Sequence, residues 1–190
     1  MTESTDAAVV EAAGRGDHAA FAQLYRGHLA LVYRAVLFQV RQRELAEDIC
    51  QEVFLQAHRS LGELRDPDRF RVWLLRIAQN RVRNHWRDQA RRPAPPVDRE
   101  PVDTAVSLEG DPRATAEQLL LSQEVMTAME SLTALQRQVV TLRFIVGLSA
   151  AETGGILDRS ENAVHNLQHH GLAALRRQLS ANEQRGTAHR

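Results

Sequence analysis

The 190-residue sequence contains no lysine: all 24 of its basic residues are arginine, balanced by 24 acids to a formal net charge of zero. The missing lysine is read as codon bias and carries no mechanism by itself. There is one cysteine, Cys50, which excludes an intrachain disulfide. It sits among apolar neighbours in a helical pattern, as a small buried hydrophobe does; a redox sensor is the minor alternative. Aromatic residues make up only 5% of the chain, and long alternations of β-branched residues are absent, which argues against a β architecture. No apolar run approaches the roughly 18 residues of a membrane span. The opening MTESTDAAVV is acidic and lacks the basic-then-apolar layout of a secretion signal. A cytoplasmic protein without membrane insertion is expected. Also missing are a Gly-rich phosphate loop, a nucleophile elbow and a carboxylate pair in a catalytic frame, so an enzyme reading has no positive feature and no cofactor is called for.

What is abundant is Ala, Leu, Arg, Glu and Gln, all strong helix formers, within an ordinary 43% hydrophobic content. The expected class is all-α. Zero net charge conceals an uneven distribution. Residues 1–14 carry −3, residues 15–92 carry +6, residues 93–131 carry −6 and residues 132–190 carry +3. Two basic blocks flanking an acidic one point to a nucleic-acid partner for the basic blocks.

Five of the six prolines fall in PAPPVDREPVDTAVSLEGDP, residues 93–112. Proline lacks an amide hydrogen and blocks helix continuation, so this reads as an extended acidic linker. It separates a helical domain over 6–92 from a second over 113–180, with a disordered tail over 181–190. In the first domain, helices are expected at about 6–14, 17–38, 43–60 and 70–91, with a loop over 62–69. In the second they are expected at about 114–130, 133–146, 150–157 and 161–178. Ser149 and Glu152 match a capping box before the short helix. Asp158 and Arg159 make a tight turn, and Ser160 caps the longer helix. Short helix, tight turn, longer helix is the helix-turn-helix layout.

On the helix over 70–91, at about 100° per residue, Phe70, Leu74, Ile77 and Ala78 share one side. Arg76, Asn80, Arg83 and Arg87 share the other, and Arg91 continues the stripe with some drift. Guanidinium groups fork onto phosphate oxygens, and asparagine makes paired hydrogen bonds to a base edge. A solvated helix face usually alternates in sign; here only Asp88 interrupts. Trp73 lies at the boundary of the two faces, where periodicity favours the core over stacking on an unpaired base. On the helix over 161–178, Val164, Leu167, Gly171 and Leu175 form the inner face and Asn162, His165, Asn166 and His169 the outer one. Early outer residues reach base edges in a helix-turn-helix, and asparagine suits adenine. This face has little fixed charge, so help from a second site is expected. His165 and His169 have an i, i+4 spacing that suits zinc, but no carboxylate stands at motif spacing and there is one cysteine, so no metal site is assigned.

AEDICQEVFLQAHRSL (46–61) followed by FRVWLLRIAQNRVRNHWR (70–87) resembles the second region of bacterial sigma factors of the extracytoplasmic-function (ECF) type. LQRQVVTLRFIVGLSAAETGGIL and SENAVHNLQHHGLAALRRQL (within 135–179) resemble the fourth region of that family. The likeness covers about residues 6–179 in the family's order. It implies two helical domains that bind core RNA polymerase and direct promoter recognition, DNA melting and transcription initiation. On this resemblance, Asp48, Gln51 and Glu52 match the surface that docks on the clamp helices of the largest catalytic subunit. Leu64, Arg65, Asp66 and Asn80 match the pocket for a flipped base of the minus-ten element. Arg76, Arg83, Asn84 and Arg87 hold the neighbouring strand. Arg159, Ser160, Asn162, His165, Asn166 and His169 face the minus-thirty-five element. Leu135, Val139 and Leu142 face the core or the polymerase flap, and an anti-sigma protein is the candidate second partner. The sequence departs from the family at Asp66, Pro67 and Asp68, where small residues are usual. It departs again at His165 and His170, where lysine or arginine is usual, and at Gly154 and Gly155, each costing roughly 1 kcal/mol of helix stability. A weaker, pH-sensitive minus-thirty-five contact is expected. The alternative reading is a stand-alone helix-turn-helix regulator, which needs a dimerisation element; none is evident. A nucleic-acid enzyme and an adaptor for an acidic protein are the remaining alternatives.

Overall fold

A computed structural model of the chain describes residues 3–91 and 124–187. The chain divides into two compact units, Met1–Val97 and Asp98–Arg190. The linker expected over 93–112 and the first ten residues of the helix expected over 114–130 lie outside the described residues. All regular structure among the described residues is helical.

The first unit has four helices: α1 (Glu3–Gly14), α2 (His18–Val40), α3 (Arg43–Ser60) and α4 (Phe70–Arg91). Helix α2 is the hub and packs on α1, α3 and α4, while α3 also packs on α4. Each start and stop has a local cause. Asp17 caps α2, its Oδ1 accepting from the amides of Ala19 and Ala20 at 2.8 and 3.1 Å. Arg41 ends α2 in the left-handed region (φ 60°), its amide donating to Leu37 O at 2.8 Å. The core is built where the apolar spacing places it: Val32 and Val36 from α2, Val53 from α3, and Leu74, Leu75 and Val82 from α4 are almost completely buried. Burying a Leu or Val fully contributes roughly 1.5–3 kcal/mol, which is what holds short helices together. The expected loop over 62–69 is instead two single 3-10 turns, Leu61–Glu63 and Pro67–Arg69, with Pro67 in the first position of the second. Gly62 lets the first turn approach α1 closely, since a Cβ there would stand 3.3 Å from Gly14 O.

In the second unit, helical residues 124–128 run into a 3-10 turn, Met129–Ser131. Three helices follow: α5 (Ala134–Val140), α6 (Ala150–Leu157) and α7 (Glu161–Thr187). Two capping boxes punctuate them, Thr133 with Gln136 and Ser149 with Glu152. The helix expected over 133–146 keeps α-geometry only to Val140. It then widens into a π turn, Thr141–Ile145, closed by Val146 N to Thr141 O at 3.0 Å, and Gly147 (φ 81°) ends it. Helix α7 packs on α5 and α6. It runs to Thr187, so the tail expected to be disordered from 181 is helical over 181–187. SANEQR contains no proline or glycine to stop a long helix already nucleated. Val139 and Leu142 are fully buried and Leu135 is half-buried, which assigns the first two to the core.

Candidate nucleic-acid interface

Helix α4 separates its faces as its sequence predicts. Phe70, Leu74, Ile77 and Ala78 are buried, while Arg76, Asn80, Arg83, Asn84, Arg87 and Arg91 are exposed. Trp73 is half-buried, its ring tilted against Phe70 with centroids 5.9 Å apart. Asn80, Arg81, Arg83, Asn84 and Arg87 line an open groove of about 620 Å³, together with Gln56 from α3. Asn80 Oδ1 accepts a hydrogen bond from Arg83 Nη2, which orients the amide within the cationic rim. Exposed guanidinium and amide groups in one groove suit an anionic strand with unpaired bases.

Beside the groove lies a second surface. Asp48, Gln51 and Glu52 of α3 are all exposed and fall on one stripe of the helix. Leu55, three residues after Glu52, sits on the same stripe at 57% exposure. An exposed apolar side chain at the end of an acidic stripe marks a protein-docking surface more readily than a solvated one. Arg81 joins the two surfaces. Its Nε donates to Gln56 Oε1 at 3.0 Å and its Nη1 to Glu52 Oε2 at 3.2 Å. Glu52 therefore sits between the docking stripe and the groove.

The turn before α4 is more committed than its sequence suggests. Asp66 accepts from the Asp68 amide at 3.2 Å and pairs with Arg69 Nε at 3.2 Å. Its carboxylate holds the turn, which qualifies its expected place in a base pocket. Arg65 is exposed and Leu64 half-buried.

The helix-turn-helix forms from α6, the turn at Asp158–Ser160, and α7. Asp158 takes the left-handed conformation (φ 53°) that reverses the chain. Ser160 Oγ accepts from the Ala163 amide at 3.3 Å, so this side chain serves as a helix cap. Arg159 Nη1 donates to Asp158 O at 3.0 Å. Asn162, His165, Asn166 and His169 are exposed, opposite buried Val164 and Gly171. Gly154 is buried, and a Cβ on it would stand 2.6 Å from Arg159 O. The turn folds back over this glycine, so its absence of side chain is a packing requirement and not only a helix penalty. Gly155 is exposed with open space around it.

Family models match both units: sigma-70 region 2 over residues 24–92 and sigma-70 region 4 over residues 122–175. The ECF RNA polymerase sigma-E factor of Escherichia coli strain K12 is 34% identical over 161 residues, covering 81% of this chain and 83% of that protein. The chain belongs to the ECF sigma factors. A second relative, the ECF RNA polymerase sigma factor BldN of Streptomyces coelicolor, is 34% identical over 172 residues. That match covers 90% of this chain, which spans 64% of the relative's length. Among solved structures, CnrH in complex with the cytosolic domain of CnrY aligns with a TM-score of 0.68 at 29% identity, over 93% of this chain and 97% of that one. The two matched regions coincide with the units carrying the α4 groove and the helix-turn-helix.

Three features of this ECF sigma factor escape the sequence reading. Leu55 was detectable: it breaks the spacing of Ile49, Val53 and Ala57 and belongs to the Asp48 side of α3. The Arg81 link to Gln56 and Glu52 carries no sequence signal, because its partners lie 25 and 29 residues away. Phe144, 51% exposed in the π turn, was not singled out by any motif. Among the described residues, no group of three or more metal-ligating side chains is placed to hold an ion, and no helix is long and apolar enough to cross a membrane.

Proposed function

We propose that this ECF sigma factor binds core RNA polymerase through α3 and directs it to promoters through α4 and α7. The carrying observation is the juxtaposition in one unit of an acidic stripe that ends in exposed Leu55 and an arginine-asparagine groove, joined at Arg81. Asp48, Gln51, Glu52 and Leu55 dock on the polymerase clamp, where carboxylates suit a basic groove and Leu55 supplies the apolar anchor. Arg76, Arg83 and Arg87 hold the phosphates of the melted minus-ten strand, Asn80 and Asn84 face its bases, and the turn at Leu64–Asp66 borders them. Extruding a base costs a few kcal/mol of stacking, which paired hydrogen bonds in a cationic groove offset. Asn162, His165, Asn166 and His169 read the minus-thirty-five duplex, with Arg159 beside a phosphate and Ser160 acting through its cap. The chain is a non-enzymatic initiation factor working beside the polymerase in the cytoplasm. CnrH was solved with the cytosolic domain of CnrY, and a comparable anti-sigma partner is the second protein we assign to this chain. A stand-alone regulator is not supported, because the region 2 match accounts for the first unit.

The test is co-elution of the purified chain with bacterial core RNA polymerase on size exclusion. Asp48→Arg and Leu55→Asp, both at exposed positions, are expected to abolish co-elution while leaving the helical content intact. A wild-type chain that fails to co-elute, yet binds duplex DNA alone, overturns the proposal in favour of the stand-alone regulator.

A further inference from the structure

We propose that α7 takes its positive charge on DNA from protons, so that His165, His169 and His170 make minus-thirty-five binding pH-dependent. The inference rests on the reading of α7 as the duplex-facing helix. All three imidazoles are exposed on its first half. The fixed charges near them are few and unfavourable to DNA. Glu161 lies on the same stripe, its Oε1 3.8 Å from His165 Nε2. Asp158 is exposed in the preceding turn, and Arg159 is the single arginine there. Arg176 and Arg177 come two turns or more beyond His169. On the elements packed against α7, both arginines are engaged by protein acceptors, Arg143 on α7 itself at Gln168, next to His169. Arg137 donates to the carbonyls of Met129 and Leu132, and Arg143 donates to Gln168 Oε1 and Leu148 O. The carboxylates of those elements are Glu130 beside the 3-10 turn and Glu152, which is held in the capping box of α6.

With neutral imidazoles, the leading end of α7 presents two carboxylates against one arginine and repels phosphate. An ordinary imidazole gains its proton near pH 6.5. Protonated His165 neutralises Glu161 beside it. The rings of His169 and His170 are 5.6 Å apart, close enough for one phosphate to lie against both. DNA therefore favours the doubly charged pair, and binding takes up protons. Each imidazolium that meets a phosphate also releases a counterion.

The test uses the full chain bound to bacterial core RNA polymerase and a duplex enriched by that complex from a random-sequence pool. Affinity is measured at pH 6, 7 and 8 at fixed ionic strength. The Kd is expected to fall on the order of tenfold from pH 8 to pH 6. The salt dependence should steepen by about 0.9 per engaged imidazole. A His165→Gln, His169→Gln, His170→Gln variant should show the same Kd at pH 6, 7 and 8. An Asn162→Ala, Asn166→Ala variant should weaken binding at every pH. Superimposable pH profiles of wild type and the histidine variant, with the asparagine variant weakened, overturn the proton dependence and leave the α7 reading standing. Binding indifferent to both variants, or a pool in which no duplex is enriched, overturns both.

Discussion

Alanine at Gly155 should stabilise the second unit and alanine at Gly154 should destabilise it, although the two residues are neighbours in one turn of α6. A helix-interior glycine gives up roughly 0.5–1 kcal/mol relative to alanine through its greater freedom in the unfolded chain. Gly155 is exposed and has nothing within 4 Å of a built Cβ, so the full gain is expected there. At Gly154 the added carbon would stand 2.6 Å from Arg159 O, a backbone atom that cannot swing away. The same turn is held by Arg159 N donating to Gly154 O at 3.0 Å, so displacing it also strains that bond. Overpacking of this kind costs about 1–3 kcal/mol, which outweighs the helix gain over most of that range and leaves a net loss of up to about 2 kcal/mol. A change of 1 kcal/mol moves the melting temperature of a domain this small by about 4–8 °C. Calorimetry on the full chain should show the transition of the second unit rising for Gly155→Ala and falling for Gly154→Ala. Equal stabilisation by both would refute the close approach of the turn.

Three further outcomes follow from single residues. Asp158→Gly should stabilise the same unit by about 0.5–1 kcal/mol by relieving its left-handed backbone, read by denaturant melts; a loss of stability would mean that the aspartate side chain holds the turn. Cys50 is 3% exposed, and burial, with the nearby Glu47 charge, pushes its thiol up to about 12, so the native chain should resist alkylation at pH 8 and react only when unfolded. Because the unfolded thiol ionises near 9 while the folded one stays protonated, this group's stabilising contribution should be lost as pH rises from about 9 towards 12. Gln79 is 2% exposed and neither of its amide atoms has a hydrogen-bond partner, so Gln79→Met should raise the melting point of the first unit, with about 1 kcal/mol the scale. A drop instead would show that the amide is satisfied by bound water.

The helices were legible where an apolar period and a punctuating residue coincide. Asp17, Ser149 with Glu152, and Gly147 place their boundaries because each supplies a specific hydrogen bond or dihedral. The exposed face of α4 was legible for the same reason, since a helix buries one side and leaves the rest to water. What failed were features that depend on a second segment. The π turn at Thr141–Ile145 looks like any helix end until the chain packs back on α6. Gly154 reads as a weak helix former until Arg159 O is seen above it. Arg81 falls by angle on the apolar side of α4, about 140° from Arg76, and only the folded α3 shows that it clasps Glu52. Gln79 shows the converse: its type predicts a surface position, yet the packing of α4 on its neighbours buries it.

The placement of charge argues for a division of labour between the units. Guanidinium groups on phosphates give affinity that is salt-dependent and indifferent to sequence, whereas asparagine amides on base edges give selection with little affinity. The α4 groove concentrates the first kind, and the leading half of α7 concentrates the second. A helix-turn-helix with one arginine and two carboxylates at its leading end is poorly equipped to find DNA unaided. On the proposed function it is tethered to a unit that holds a strand, and it then needs to contribute only the difference between one duplex and another, because the second contact forms at high effective concentration. Near-neutral net charge is consistent with this. A uniformly cationic chain would bind DNA everywhere, whereas this one balances 24 arginines with 24 acids and gathers Arg81, Arg83 and Arg87 in the α4 groove.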